Sequence, residues 1–262
     1  DKNEQLVPPF LFFRNHLEIS IFHGEEYDEL LMRTLGKLIF ENRESPLVDL
    51  IESILIFADS GIVGIDIATQ TEIPELVFPS GFPEDKKHDL IKDFTERFKY
   101  QIKTKHRFFE GTKEQGITNL PLNEQSTGTI KFFNMLRLVL QALAAGNVLI
   151  VDELDKSLHP DWTKLLISLF HYPETNPKGA QLIFATHDVS LMSPDLFGRD
   201  QLYLVQKDLY GSSKLYSIAD YKKVSPETPF EKWYLSGRFQ AIPNIAKQTI
   251  QNEIVKSGIF DE

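Results

Sequence analysis

Two carboxylates, Asp152 and Glu153, follow directly on the apolar run Val148-Leu149-Ile150-Val151. A short, continuous apolar run of this kind predicts a strand covered on both faces in a parallel sheet. Carboxylates that end such a strand emerge at the carboxyl edge of the sheet, where α/β folds bind ligands. Inside the strand they would need a buried partner. Asp152 is suited to hold a magnesium ion through water, because the ion prefers hard oxygen ligands and keeps several waters. Glu153 can orient and deprotonate an attacking water. The plainer alternative is an exposed acidic turn after a core strand.

A second apolar run, Gln181-Leu182-Ile183-Phe184-Ala185, ends in Thr186-His187-Asp188. If the two runs are neighbouring strands of one parallel sheet, His187 emerges beside the acid pair. A neutral imidazole there can donate to a phosphate oxygen or to the lytic water. One histidine after a strand is ordinarily structural, but convergence of two strand ends on acid and imidazole is less ordinary. Upstream, Ser126-Thr127-Gly128-Thr129 opens a long apolar helix. Free N–H groups at a helix start, a flanking hydroxyl and a glycine that permits close approach make an anion site. The same residues also serve as an ordinary N-cap.

The elements that must position these groups are legible around them. Residues 129–145 read as a helix, with Phe133, Leu136, Leu140 and Leu143 in one row and Phe132, Met135 and Val139 in a second. That helix is buried on most sides, and Gly146 is a suitable stop. Residues 160–170 read as a helix, 201–205 and 214–218 as further strands. Strand, helix, strand in this order predicts an α/β layered fold with a parallel sheet flanked by helices. Nearer the start, residues 10–22 suggest one or two strands and 27–40 a helix. Ser45-Pro46 marks another helix start, which Asp59-Ser60-Gly61 ends. A strand is expected over 62–67, a loop or small insertion over 68–87, a helix over 87–100 and a strand over 101–109.

Composition narrows the classes. With 42% hydrophobic and 25% charged residues a packed core is expected. The formal charge of −10 sets an average surface that repels a phosphate backbone. Cysteine is absent, which excludes a disulfide framework and a thiolate metal site and fits a reducing cytoplasm. No apolar run approaches the roughly 20 residues of a membrane helix.

Taken together, the three motifs resemble the C-terminal lobe of SMC-like ABC-class ATPases. More narrowly, they resemble the predicted ATPases of bacterial phage-defence and abortive-infection operons. In that resemblance Ser126-Thr127-Gly128-Thr129 is the signature motif and residues 148–153 are Walker B. Asp155-Lys156-Ser157-Leu158-His159-Pro160 is the D-loop, and Thr186-His187 carries the switch histidine. Weaker likeness runs through Asp59-Ser60-Gly61-Ile62, Arg199-Asp200-Gln201, Lys207-Asp208 and residues 237–243. Thr129 stands where transporter ATPases have a second glycine and His159 where they have aspartate; both are usual in the defence branch.

The resemblance implies a P-loop NTPase-like α/β lobe over residues 121–262, preceded by an N-terminal α/β region over 1–120. It implies Mg2+ and ATP, with Asp152 on the metal and Glu153 and His187 catalytic. Ser126, Gly128 and Thr129 would grip the ATP of a second subunit in a homodimer or higher homo-oligomer, with Asp155, Ser157 and His159 relaying between subunits. A separate effector protein, for instance a nuclease, is the expected partner, with no membrane involved.

The chief departure is Walker A. Residues 111–118 carry two glycines at P-loop spacing, but Ile117 stands where the essential lysine belongs, so this is expected to be a decoy. A chain that begins at Asp1 without Met is expected to be the later part of a longer ATPase. Two other readings stay open. One is a metal-dependent nuclease built on Asp152, Glu153, Asp155 and His187. The other is a non-catalytic scaffold of ATPase-like fold. The basic, aromatic stretch 97–107 could touch nucleic acid, although a helix end and a half-exposed strand explain it as well. Trp162 and Trp233 are expected to pack rather than to recognise a ligand.

Overall fold

A computed structural model describes residues 11–12, 14–20, 35–58, 60–69, 78–79, 82–208, 210–242, 245–257 and 259. They fall into two compact units, residues 1–187 and 188–262. In chain order the first unit holds β1 (Leu17–Ser20), α1 (Pro46–Phe57), β2 (Gly64–Thr69) and α2 (Glu84–Phe98). Next come β3 (Tyr100–Glu110), β4 (Lys113–Pro121), α3 (Thr127–Ala145), β5 (Val148–Val151), α4 (Pro160–Ser168) and β6 (Gln181–Phe184). Residues 35–41 are also helical.

Three strands form a parallel sheet in the order β1-β5-β6. Three others form an antiparallel sheet in the order β2-β3-β4. This is the mixed α/β architecture of P-loop NTPase-like folds. Helix starts follow their sequence signals. The Ser45 hydroxyl accepts from Leu47 N at 3.3 Å with Pro46 at the first position of α1. Ser126 caps α3, and Gly146 ends it in the left-handed region at φ 73°, where a Cβ would be strained.

Helix α3 is the middle of the core. Phe132, Phe133, Met135, Leu136, Val139 and Ala142 are fully buried on it. Phe132 stacks on Trp162 of α4, with ring centroids 4.7 Å apart, and the Trp162 indole N–H donates to Ala58 O at 2.9 Å. One tryptophan thus ties α4 to α3 and to the end of α1, and it packs as expected.

Three expectations need correction. The second apolar run is expected to be a buried strand, yet Ile183 is 53% exposed and Gln181 is exposed. Strand β6 is the outer strand of the sheet among the described residues, and one of its faces is open. Residues 11–12 and 14–15 are helical where a strand was expected, and the strand begins only at Leu17. Strand β4 was not foreseen. Its residues are almost all exposed, so neither face carries the apolar alternation by which a strand is recognised. The decoy glycines lie here, Gly111 in the β3–β4 turn and Gly116 opposite Phe108 in the ladder. This is a hairpin, not a phosphate loop. Residues 27–34 of an expected helix, 70–77 and 80–81 of the expected 68–87 loop, Asp59 and Pro243 lie outside the described residues; 68–69 of that loop belong instead to β2 and 84–87 to α2.

The second unit holds β7 (Tyr203–Lys207), β8 (Ser213–Ser217), α5 (Phe230–Leu235) and α6 (Lys247–Lys256). Leu204, Ile218, Val224, Phe230 and Phe239 form its core, and Trp233 packs against it. The hydroxyls of Tyr216 and Tyr221 both donate to Phe239 O, at 2.8 and 2.7 Å. Burial, then the bond to Tyr221, pushes the Tyr216 phenol well above its ordinary value. The motif residues of this unit hold turns. Arg199 donates to Val224 O, Asp208 accepts from the N–H groups of Tyr210 and Ser212, and Gly237 adopts φ 75°. Among the described residues no helix is long and apolar enough to cross a membrane.

The Phe132–Trp162 stack yields a stability test. Phe132→Ala should cost about 3–5 kcal/mol, the usual loss for a fully buried aromatic side chain, read as a lower urea midpoint. A change under about 1 kcal/mol would mean that α3 and α4 do not share this core.

Candidate functional site

The site is built on the ladder between β5 and β6. The strands are parallel neighbours, Val151 opposite Phe184. Beyond their formal ends the ladder continues: Ala185 N donates to Val151 O at 3.0 Å, and Leu154 N donates to Ala185 O at 3.1 Å. Asp152 and Glu153 are therefore the two-residue bridge between two backbone bonds to the same residue. Their neighbours Val151 and Leu154 are buried at 1% and 0% exposure. Apolar anchors on both sides leave the carboxylates facing out at the sheet edge. Three residues past β6, His187 emerges from the adjacent strand.

Each side chain has a defined setting. The Asp152 carboxylate is exposed, and no hydrogen bond or ion pair with a described residue engages it. Glu153 sits in the left-handed region at φ 49°. Its carboxylate pairs with Lys156 at 3.0 Å. Lys156, by its hydrogen bond and its charge, holds the Glu153 carboxyl below its ordinary range against the opposing effect of burial, and His187 and Lys131 lower it by smaller amounts. His187 is also fixed through its backbone, whose N–H donates to the Asp155 carboxylate at 3.3 Å.

The turn 152–158 meets the start of α3. Ser157 is left-handed at φ 62°. A Cβ on residue 128 would lie 2.7 Å from the Ser157 carbonyl oxygen, so only glycine allows this approach. At the same helix start the Ser126 hydroxyl accepts from Thr129 N at 3.1 Å and lies 2.9 Å from the Thr129 hydroxyl. One turn on, buried Lys131 donates to the Glu153 carbonyl at 3.0 Å.

Of the residues singled out from sequence, the fold gathers Asp152, Glu153, Asp155, Ser157 and His187 at one edge, with Gly128 directly against Ser157. Ser126 and Thr129 share the turn that carries Gly128. His159 is engaged at the far end of the loop: it caps α4 by accepting from Asp161 N at 3.2 Å. Two residues were overlooked, Lys131 and Lys156. Lys131 had a signal, since a lysine inside an apolar helix implies a buried partner. Lys156 is exposed and had none.

These donors fit a magnesium ion of the nucleotide-bound kind. Such an ion takes one or two carboxylates, and water and phosphate supply the rest; the unengaged Asp152 carboxylate offers one. Among the described residues no group of three or more histidine, aspartate or glutamate side chains is gathered to hold a metal.

The Gly128 contact makes a prediction. Gly128→Ala must displace backbone, and overpacking of this kind should cost about 1–3 kcal/mol in a urea or thermal melt. Thr127→Ala, on the exposed side of the same turn, should stay within about 0.5 kcal/mol of the parent. Equal midpoints for both would mean that helix and loop are not in contact.

Residues 60–193 match the model of a family described as AAA domain, putative AbiEii toxin, Type IV TA system. No curated protein matches the chain at a significant level. The matched span is just over half of the sequence and contains α3, the acid pair and His187. The chain therefore belongs to this family of P-loop ATPase-like AAA domains, which is linked to abortive infection and toxin–antitoxin systems.

Proposed function

We propose that this chain is the C-terminal lobe of an SMC-like ABC-class ATPase, the sensor or motor of an anti-phage defence system. The reading is supported above all by the parallel pairing of β5 with β6, whose carboxyl ends lead into Asp152-Glu153 and His187. In this reading residues 121–262 form the ATPase lobe and residues 1–120 an accessory α/β region. The lysine-bearing phosphate loop comes from polypeptide outside these residues, because the only Gly-rich stretch with its spacing is the β3–β4 hairpin.

ATP is the substrate, bound between two facing copies. Glu153 takes the proton of the attacking water as its oxygen bonds to the γ-phosphorus, the bond from that phosphorus to the β–γ bridging oxygen breaks and ADP leaves, and His187 donates to a γ-phosphate oxygen. Asp152 would hold Mg2+, which would supply charge neutralisation for the phosphates. Ser126, Gly128 and Thr129 face the ATP of the other subunit, where the first-turn N–H groups of α3 and its positive dipole end suit an anion. Asp155 and Ser157, with His159 at the end of the loop, relay the state of one site to the other. A split site ties nucleotide state to the geometry of the dimer, which a separate effector, for example a nuclease, can read.

Glu153→Gln in the full-length protein should retain Mg-ATP binding and lose turnover by a factor on the order of 100 or more. Single-turnover hydrolysis with a fluorescent ATP analogue measures both, and unchanged turnover removes Glu153 from this role. The pH profile supplies a second test. Lys156 keeps Glu153 ionised to lower pH than an ordinary glutamate. Its removal in Lys156→Ala raises that carboxyl, so the base is lost at higher pH on acidification. The acid limb of the rate profile should move upward; a limb that stays in place would mean that Lys156 leaves Glu153 before the chemistry.

A further inference from the structure

We infer that Lys131 is a positioning residue for Glu153, coupling the start of α3 to the catalytic carboxylate. The inference rests on the reading of Glu153 as the base. Lys131 is 5% exposed and lies next to Phe132 and Phe133, both fully buried. An ammonium group in such surroundings is costly unless strong acceptors surround it. One such acceptor is the main-chain carbonyl of Glu153, at 3.0 Å. That residue is left-handed at φ 49°, a conformation disfavoured for any side chain with a Cβ. A charge-assisted bond to its carbonyl fixes the peptide plane that follows it, and so the direction in which its Cα–Cβ bond points.

The two lysines on Glu153 do different work. Lys156 is exposed and touches the carboxylate. Lys131 is buried and touches the backbone, with a weaker charge effect on the carboxyl. Lys131 also stands one helical turn after Gly128, which abuts Ser157 O. Helix α3 therefore grips the loop at two points, Glu153 and Ser157. A shift of its first turn, where the nucleotide of the other subunit would bind, is carried by a rigid helix to the carbonyl of the base. The acid of one site thus answers to occupancy of the other.

The test uses full-length protein and five variants: Lys131→Met, Lys131→Gln, Lys131→Arg, Glu153→Gln, and Lys131→Met with Glu153→Gln. Steady-state kcat and KM for Mg-ATP, affinity for a fluorescent ATP analogue and the thermal midpoint are measured. Lys131→Met should lower kcat about 10- to 100-fold, the penalty of a misplaced catalytic group, while nucleotide affinity changes less than about threefold. Lys131→Arg, which keeps charge and donors, should recover most of the loss. In the Glu153→Gln background the same lysine change should cost nothing further, because its effect passes through the missing carboxylate. Lys131→Gln, a milder packing change, makes the same comparison if Lys131→Met fails to fold. Parental kcat in Lys131→Met, or an equal further loss in the Glu153→Gln background, would overturn the positioning role and leave Glu153 as the base. Parental turnover in Glu153→Gln alone would remove the base itself, and this inference with it.

Discussion

Ala185 gives its N–H to Val151 and takes the N–H of Leu154 at its carbonyl, and the geometry of the site depends on that double hold. The two bonds fix the span of the acid pair to one residue of the neighbouring strand. Because the strands are parallel, their carboxyl ends finish on the same edge, and His187 follows without any long-range fold of its own. An antiparallel pairing would have sent the imidazole to the opposite rim. Burial of Val151 and Leu154 does the rest: two apolar anchors leave the intervening carboxylates nowhere to go but outward.

The loop that follows is held in an uncommon backbone shape. Glu153 and Ser157 both adopt positive φ without being glycine, each at a cost of roughly 1–2 kcal/mol. Surrounding contacts must over-determine such residues, and three do. Lys131 fastens the Glu153 carbonyl, the Asp155 carboxylate accepts the His187 N–H, and Gly128 comes up against the Ser157 carbonyl. The glycine of the helix start thus has a packing role within its own subunit, in addition to the close approach to an anion for which its sequence setting suits it.

Much of this was legible beforehand, for reasons tied to particular residues. The run Val148–Val151 is apolar at every position, so its strand and the sheet edge beyond it could be read directly, and Ser45-Pro46 and Ser126 marked helix starts by cap chemistry. The adjacency of β5 and β6 could only be supposed, because pairing partners leave no mark in one sequence. Strand β4 escaped because it is exposed on both faces. The open face of β6 was missed because an apolar run looks the same whether or not something covers it. Lys131 was readable in principle, as a cation inside an apolar helix. Its acceptor was not, since a main-chain carbonyl has no residue identity.

The pairing of β1 with β5 carries a kinetic consequence. His16 and Asn147, which adjoin the two strands, are 131 positions apart in the chain and yet within hydrogen-bonding distance. Closing so large a segment is entropically unrewarded until β1 docks, whereas the β3–β4 hairpin closes through a turn of two residues. The hairpin therefore has the low closure cost of an early contact, and the β1–β5 pairing the high cost of a late one. During synthesis β1 cannot pair with β5 until β5 has left the ribosome. The edge that carries the acid pair closes a far shorter segment, between β5 and β6, and so need not wait for β1 to dock.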